Sequence, residues 1–183
     1  YICLNPHDVA RVAKAFKIFR NILTHFTQCV SFIPDLLHQL SEYAVYAYSS
    51  YFASSYFSLI KLISKRQLCE QDVLMGILKE ASASARYMPD PSCSFLLCLR
   101  YVAKALDCDH FAEIHEILIQ ILESSRKRTM DSEEELIEVE VSRFYVDLVL
   151  PFKADVIPYA MGAFPLDNHC LAPALIVWSY TSS

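Results

Sequence analysis

The stretch EYAVYAYSSYFASSYFSLIKLI, residues 42–63, decides how the fold of this chain is interpreted. No charged residue lies between Tyr43 and Ile60, and those eighteen positions hold five tyrosines, two phenylalanines and five serines. A stretch of this kind is compatible with a membrane span, an aromatic platform for nucleic-acid bases, or a helix covered by protein.

On a helical wheel the stretch separates into two faces. The large apolar residues gather on one side, as in a helix that packs on a core: Val45, Tyr48, Phe52, Tyr56, Leu59, Ile60 and Ile63. Small residues and one lysine form the other side, which Tyr43, Tyr46 and Phe57 flank: Ala47, Ser50, Ser54, Ser58 and Lys61. Because aromatic residues are enriched at the centres of interfaces, we predict a partner-binding surface formed by Tyr43, Tyr46, Ser50, Ser54, Phe57 and Lys61. Replacing both Tyr46 and Phe57 by Ala is then expected to abolish binding and leave the fold intact. The alternative is a central helix packed on more than one side, in which case the double substitution would reduce helical circular dichroism and assign both residues to the core.

The hydroxyl groups of the stretch argue against a membrane span. A spanning helix needs about twenty predominantly apolar residues, and these serines and tyrosines would need hydrogen-bond partners inside hydrocarbon. The aromatic residues also have no cation beside them in sequence before Lys61, Lys65 and Arg66, whereas nucleic-acid binding depends on cations near the phosphates. We therefore predict neither a membrane span nor direct nucleic-acid binding.

The composition narrows the function classes. The 183 residues are 54% hydrophobic and 20% charged, with a net charge of −5, which gives no general attraction to nucleic acid or anionic membranes. Gly76 and Gly162 are the two glycines, too few for the glycine-rich loops of phosphate or dinucleotide sites. Because the sequence begins with Tyr1, we expect it to be part of a longer protein.

The cysteines indicate a reducing compartment. Their number is odd and their spacing irregular: Cys3, Cys29, Cys69, Cys93, Cys98, Cys108 and Cys170. Free thiols explain this pattern better than a disulfide framework. We therefore predict an intracellular protein, in the nucleus or the cytoplasm.

Helical periodicity continues on both sides of the stretch. We predict a first helix with Asn5 as cap, ended by Pro34, and a second helix that starts at Asp35, contains the opening stretch and ends near residues 63–67. A third helix is predicted over 69–88, with Val73, Ile77, Leu78 and Ala81 inward.

A break at 89–92, where two prolines stand close together, separates the third helix from the rest of the chain. Two further helices are predicted at 93–106 and 109–125. The second of these has one apolar face, formed by Phe111, Ile114, Leu118, Ile121 and Leu122. Within residues 136–150 alternating valines favour a strand, but a capping box at Ser132 and Glu135 favours a helix, which we predict.

These segments predict an all-α fold. About six main helices would pack as antiparallel αα-hairpins, either in an armadillo- or HEAT-like stack or in an irregular helical bundle. We predict an interaction domain over 1–150 and a proline-interrupted C-terminal segment, 151–183, packed on the same domain.

Cysteine and histidine residues raise the possibility of a metal site or an enzyme. The candidate ligands lie close in sequence: Cys93, Cys98, Cys108, His110 and His115. However, Cys93 and Cys98 would point about 140° apart on a helix, and no nucleophile signature of a known hydrolase class is present. We predict no metal, no cofactor and no enzymatic activity, with a Cys/His-based enzyme as a less favoured alternative.

The charged segment RKRTMDSEEE, residues 126–135, is a candidate regulatory loop. Its residues of interest are Arg126, Lys127, Arg128, Thr129 and Ser132. A phosphate on Ser132 would lie at a helix N-terminus, where the helix dipole favours negative charge.

The function predicted from these patterns is a non-enzymatic protein–protein interaction domain, a scaffold or adaptor in a larger intracellular complex. Its partner would be another protein or a peptide helix. The alternative is a compact bundle that binds an amphipathic helix in a groove. One apolar helix among amphipathic ones resembles the plan of the Bcl-2 class, although Trp178 is followed by Ser179 and Tyr180 and the Asn-Trp-Gly-Arg type of motif is absent.

Overall fold

The computed structural model describes residues 9–26, 31–106, 110–127 and 137–145. The chain divides into two compact units, Tyr1–Val102 and Ala103–Ser183. The helices of the first unit are α1 Val9–His25, α2 Ile33–Glu42, α3 Ser50–Lys65, α4 Gln71–Ala85 and α5 Pro89–Ala103, which extends one residue past the boundary. The second unit contains α6 Phe111–Arg126 and a helical segment at 137–145.

The all-α prediction is confirmed, since the described residues contain helices and no strand. Residues 137–145 are helical, as predicted against the strand alternative. The residues predicted to line one face of the fifth helix are buried: Phe111, Ile114, Leu118, Ile121 and Leu122. The predictions for Asn5, Ser132 and 151–183 concern residues outside the described ranges.

The prediction of one continuous helix through the opening stretch is wrong. Helix α2 ends at Glu42, a short 3-10 turn follows at Ala44–Tyr46, and α3 begins at Ser50 after Ser49 in an extended conformation. Serine and aromatic residues have only moderate helix propensity, so tertiary packing decides where the helix breaks. Because of this break, the residues before Ser50 do not lie on the same helix as those after it, and one helical wheel cannot describe both.

Because of this break, two residues that were assigned to the core are exposed. Val45 and Tyr48 are 59% and 51% exposed, whereas Phe52, Tyr56 and the aliphatic residues after them are buried as predicted. Val73 in α4, also expected inward, is 44% exposed. The residues assigned to the core side of α3 from Phe52 onward are therefore correct, whereas the assignments of Val45, Tyr48 and Val73 are wrong.

Prolines begin helices here instead of separating them. Pro34 lies in the first turn of α2, and Pro89 and Pro91 lie in the first turn of α5. The first backbone N–H groups of a helix have no partner inside that helix, so proline loses little there. The predicted break at 89–92 is thus the start of the fourth predicted helix, four residues earlier than expected.

Helices α1 and α3 are parallel neighbours. The ring centroids of Phe16 and Phe52 lie 5.7 Å apart, and farther along both helices the Arg66 guanidinium donates a hydrogen bond of 2.7 Å to the carbonyl of Thr24. Because both contacts advance toward the C-terminal ends, the two helices run in the same direction.

Helices α3 and α5 are also parallel. The rings of Phe57 and Phe95 are 5.5 Å apart, and the Lys61 ammonium lies 5.4 Å from the ring centroid of Tyr101. Helix α3 therefore lies between α1 and α5 in a layer of three parallel helices.

Helices α2 and α4 connect the parallel helices of this layer, and they run in the opposite direction to those helices. Ser64 at the end of α3 donates a hydrogen bond of 2.8 Å to the side-chain oxygen of Gln71 at the start of α4. Ser41, near the end of α2, donates one of 2.6 Å to Glu80 in the second half of α4. Sequential helices thus alternate in direction, an arrangement that both the stacked and the bundle alternatives allow.

Candidate protein-binding surface

Two of the predicted surface residues contribute to an aromatic cluster. Tyr43 is 7% exposed, and its ring lies 6.2 Å from that of Phe16 and 5.9 Å from that of Tyr46. Tyr46 is half-buried and lies 6.3 Å from Phe52. Their contacts within the chain are those of core side chains, and edge-on and tilted arrangements of this kind are favourable for aromatic rings.

Phe57 was expected to be part of an exposed docking patch, and that exposure is wrong. It is 2% exposed, with its ring 5.1 Å from Tyr56 and 5.5 Å from Phe95. Phe57 therefore packs between α3 and α5, because α5 covers the side of α3 that the wheel left open. Replacing it by Ala would disturb the fold.

Ser50, Ser54 and Lys61 lie on the solvent-exposed side of α3. Ser58 on the same side is half-buried. The role of these residues in binding stays a prediction.

Two lysine–tyrosine contacts lie at the boundaries between α3 and its neighbours α1 and α5. We call these two boundaries the seams. The Lys17 ammonium lies 4.6 Å from the centroid of the Tyr51 ring at the seam with α1, and Lys61 lies over Tyr101 at the seam with α5. Cations at these distances are attracted by the ring quadrupole. We call Lys17, Tyr51, Ser54, Lys61 and Tyr101 the lysine–tyrosine face.

The layer that presents this face is basic. Helix α1 contains four Lys or Arg residues and α3 contains two, and neither helix contains Asp or Glu. By contrast, α2 contains Asp35 and Glu42, and α4 contains Asp72 and Glu80 beside Lys79. The first unit has ten Lys and Arg against seven Asp and Glu, a net charge of +3 in a chain of net charge −5.

The second unit contains two polar contacts near the predicted regulatory loop and the histidines. Arg126 at the end of α6 donates a hydrogen bond of 3.0 Å to Glu138, whose side chain is 11% exposed. His115 Nδ1 lies 2.7 Å from the Tyr145 hydroxyl, and burial lowers the pKa of His115. Lys127 is exposed.

The remaining loop residues of the prediction, Arg128, Thr129 and Ser132, lie outside the described ranges, as does Cys108. Within the described ranges no group of three or more His, Cys, Asp or Glu side chains converges on a metal position. His110 lies near Glu113, at 3.9 Å between Nδ1 and a carboxylate oxygen.

Cys98 in α5 and Cys69 in the loop before α4 are poor nucleophiles. Burial raises the pKa of Cys98 strongly, against the opposing effect of Lys61, and burial together with Glu70 raises the pKa of Cys69 to about 11. Both thiols are therefore protonated at neutral pH, whereas the reactive form of cysteine is the thiolate.

The surface residues predicted from the sequence do not include Lys17, Tyr51 or Tyr101. The available signal was the spacing of Lys14 and Lys17 with no acidic residue in α1.

No helix in the described ranges has the length and apolarity to cross a bilayer. No family model, curated protein or solved structure matches this chain at a significant level.

Proposed function

We propose that this chain is a non-enzymatic protein-interaction module, a scaffold or adaptor part of a larger intracellular complex. The observation that supports the proposal is the layer of parallel helices α1, α3 and α5, whose outer side exposes tyrosine and lysine side chains in an ordered arrangement. Stacked helices offer broad surfaces for partners, and Tyr is enriched where proteins meet.

The state of the thiols supports both halves of this proposal. The protonated Cys69 and Cys98 lack the lowered pKa that a cysteine nucleophile requires. Cys69, Cys93 and Cys98 are thiols with no disulfide bond, in keeping with a reducing compartment.

The alternative is a Bcl-2-like bundle that binds an amphipathic helix in a groove. The observation in its favour is the central position of α3, which contacts α1 through Phe16 and Phe52 and α5 through Phe57 and Phe95. The side-by-side contacts of α3 with α1 and with α5 favour the stacked module, so we propose the stack first.

The test is purification of the tagged chain from cells, followed by cross-linking and partner identification. We expect a stoichiometric protein partner whose cross-links map to residues 9–102. As a matched control, Phe57→Ala, which removes a core side chain, should lose the partner together with native stability, whereas Tyr48→Phe should keep both. Absence of any stoichiometric partner would contradict the proposal.

A further inference from the structure

We infer that the lysine–tyrosine face binds an acidic segment of a partner protein. This inference rests on the proposed function and assigns to it a surface and a partner chemistry. The two lysines at its seams, Lys17 and Lys61, are exposed and are each held over a tyrosine ring.

Charge complementarity identifies the partner as acidic. Lys14 and Lys65 are exposed on the same helices as Lys17 and Lys61, and neither α1 nor α3 contains a carboxylate to neutralise them. The Lys, Arg, Asp and Glu residues of α1 and α3 are therefore all basic, although the whole chain has a net charge of −5. A face of this sign accelerates encounter with acidic segments and disfavours basic ones.

The geometry sets the spacing of the acidic residues that it recognises. Tyr51 and Lys61 are ten residues apart on α3, about 15 Å along the helix axis, and the two seams are separated across the layer by about one helix spacing of 8–10 Å. The lysine positions are thus about 17–18 Å apart, a distance covered by about five residues of extended chain. Ser54, which is exposed and small, lies between them on α3.

An acidic polypeptide fits this face better than a nucleic acid does. Single-stranded nucleic acids bind by stacking bases on open aromatic rings, and here the Lys17 and Lys61 ammonium groups lie over the rings of Tyr51 and Tyr101 at 4.6 Å and 5.4 Å. Carboxylates can approach the same ammonium groups from solvent without displacing them from the rings.

The test measures fluorescence anisotropy of labelled peptides with the full chain. One peptide has two Glu-Glu pairs separated by about five residues, the extended-chain equivalent of the lysine separation, and a second has the same composition with the pairs adjacent. The tested variant is Lys17→Glu with Lys61→Glu. Its matched control is Lys79→Glu with Lys127→Glu, which changes net charge equally at exposed positions elsewhere.

We expect the separated-pair peptide to bind more tightly than the adjacent-pair peptide. The variant at the face should weaken this binding at least about tenfold at low salt, with a smaller effect at high salt, and the control should retain it. Far-UV circular dichroism should be the same for all three proteins because the substituted side chains are exposed.

Equal weakening by the two charge reversals, or equal affinity for the two peptides, would overturn the inference. So would tighter binding of a single-stranded oligothymidine that is lost in the variant at the face, because that result assigns the face to nucleic acid. A partner that co-purifies and cross-links only outside the face would leave the proposed function standing and reject this surface.

Discussion

Removing the hydroxyl of Tyr56 tests how the chain stabilises the break between α2 and α3. Tyr56 is fully buried, and its hydroxyl donates a hydrogen bond of 2.6 Å to the carbonyl of Leu40, which is also fully buried. That carbonyl lies in the last turn of α2, where the helix itself supplies no donor. A side chain sixteen residues later thus satisfies the end of the preceding helix.

Replacing Tyr56 by Phe keeps the ring and removes the donor. A buried acceptor left without a partner costs about 1–3 kcal/mol, which corresponds to a roughly 5- to 150-fold shift of the unfolding equilibrium. Because both residues are fully buried, water has no route to replace the lost hydrogen bond. We expect a lower urea midpoint with an unchanged slope, measured by circular dichroism.

The matched control is Tyr48→Phe, at a tyrosine that is 51% exposed, where we expect almost no change. Equal midpoints for the two variants would refute the role of the Tyr56 hydroxyl.

A second measurement of the same hydroxyl uses the pH dependence of stability. Burial, with smaller contributions from Cys98 and Glu80, raises the pKa of Tyr56 well above 10.0, so the unfolded chain loses this proton first. Stability should therefore fall as pH rises above 10.0, less steeply in Tyr56→Phe.

Three further predictions concern other parts of the chain. Phe57→Ala should lower the free energy of unfolding by about 3–5 kcal/mol, because the ring packs on Phe95; a thermal midpoint equal to wild type would contradict its place in the core. Gln67 has a φ of 53°, and its N–H and that of the next residue bond back to the last turn of α3. Gln67→Gly should therefore raise stability by about 0.5–1 kcal/mol, whereas Gln67→Ala should bring no such gain in urea denaturation. Burial lowers the pKa of His115 from 6.5, so the unfolded chain binds the proton first and stability falls as pH drops through 6.5. His115→Gln should flatten this dependence, by at most about 1.4 kcal/mol per pH unit for one proton, and an unchanged pH profile would count against it.

Local sequence patterns predicted those features that depend on one helix at a time. The residues that apolar periodicity assigned to the core in α6, and in α3 from Phe52 onward, are buried because a wide apolar side of a helix has to face the core. Phe57, which the wheel placed on the other side of α3, is buried as well. The choice of helix for 137–145 was also correct, since Ile137, Val141 and Phe144 share one side of a helix and all three are buried.

The sequence by itself determined that this chain is helical, and it identified most of the residues of its long helices that face inward. Tertiary structure decided where the opening stretch breaks, that Phe57 is covered by α5, and that Lys17 and Lys61 come to lie over Tyr51 and Tyr101. The physical reason is the range of the forces involved. Helix periodicity is a property of neighbouring residues, whereas coverage of one helix and the pairing of a cation with a ring depend on which other helix packs beside it.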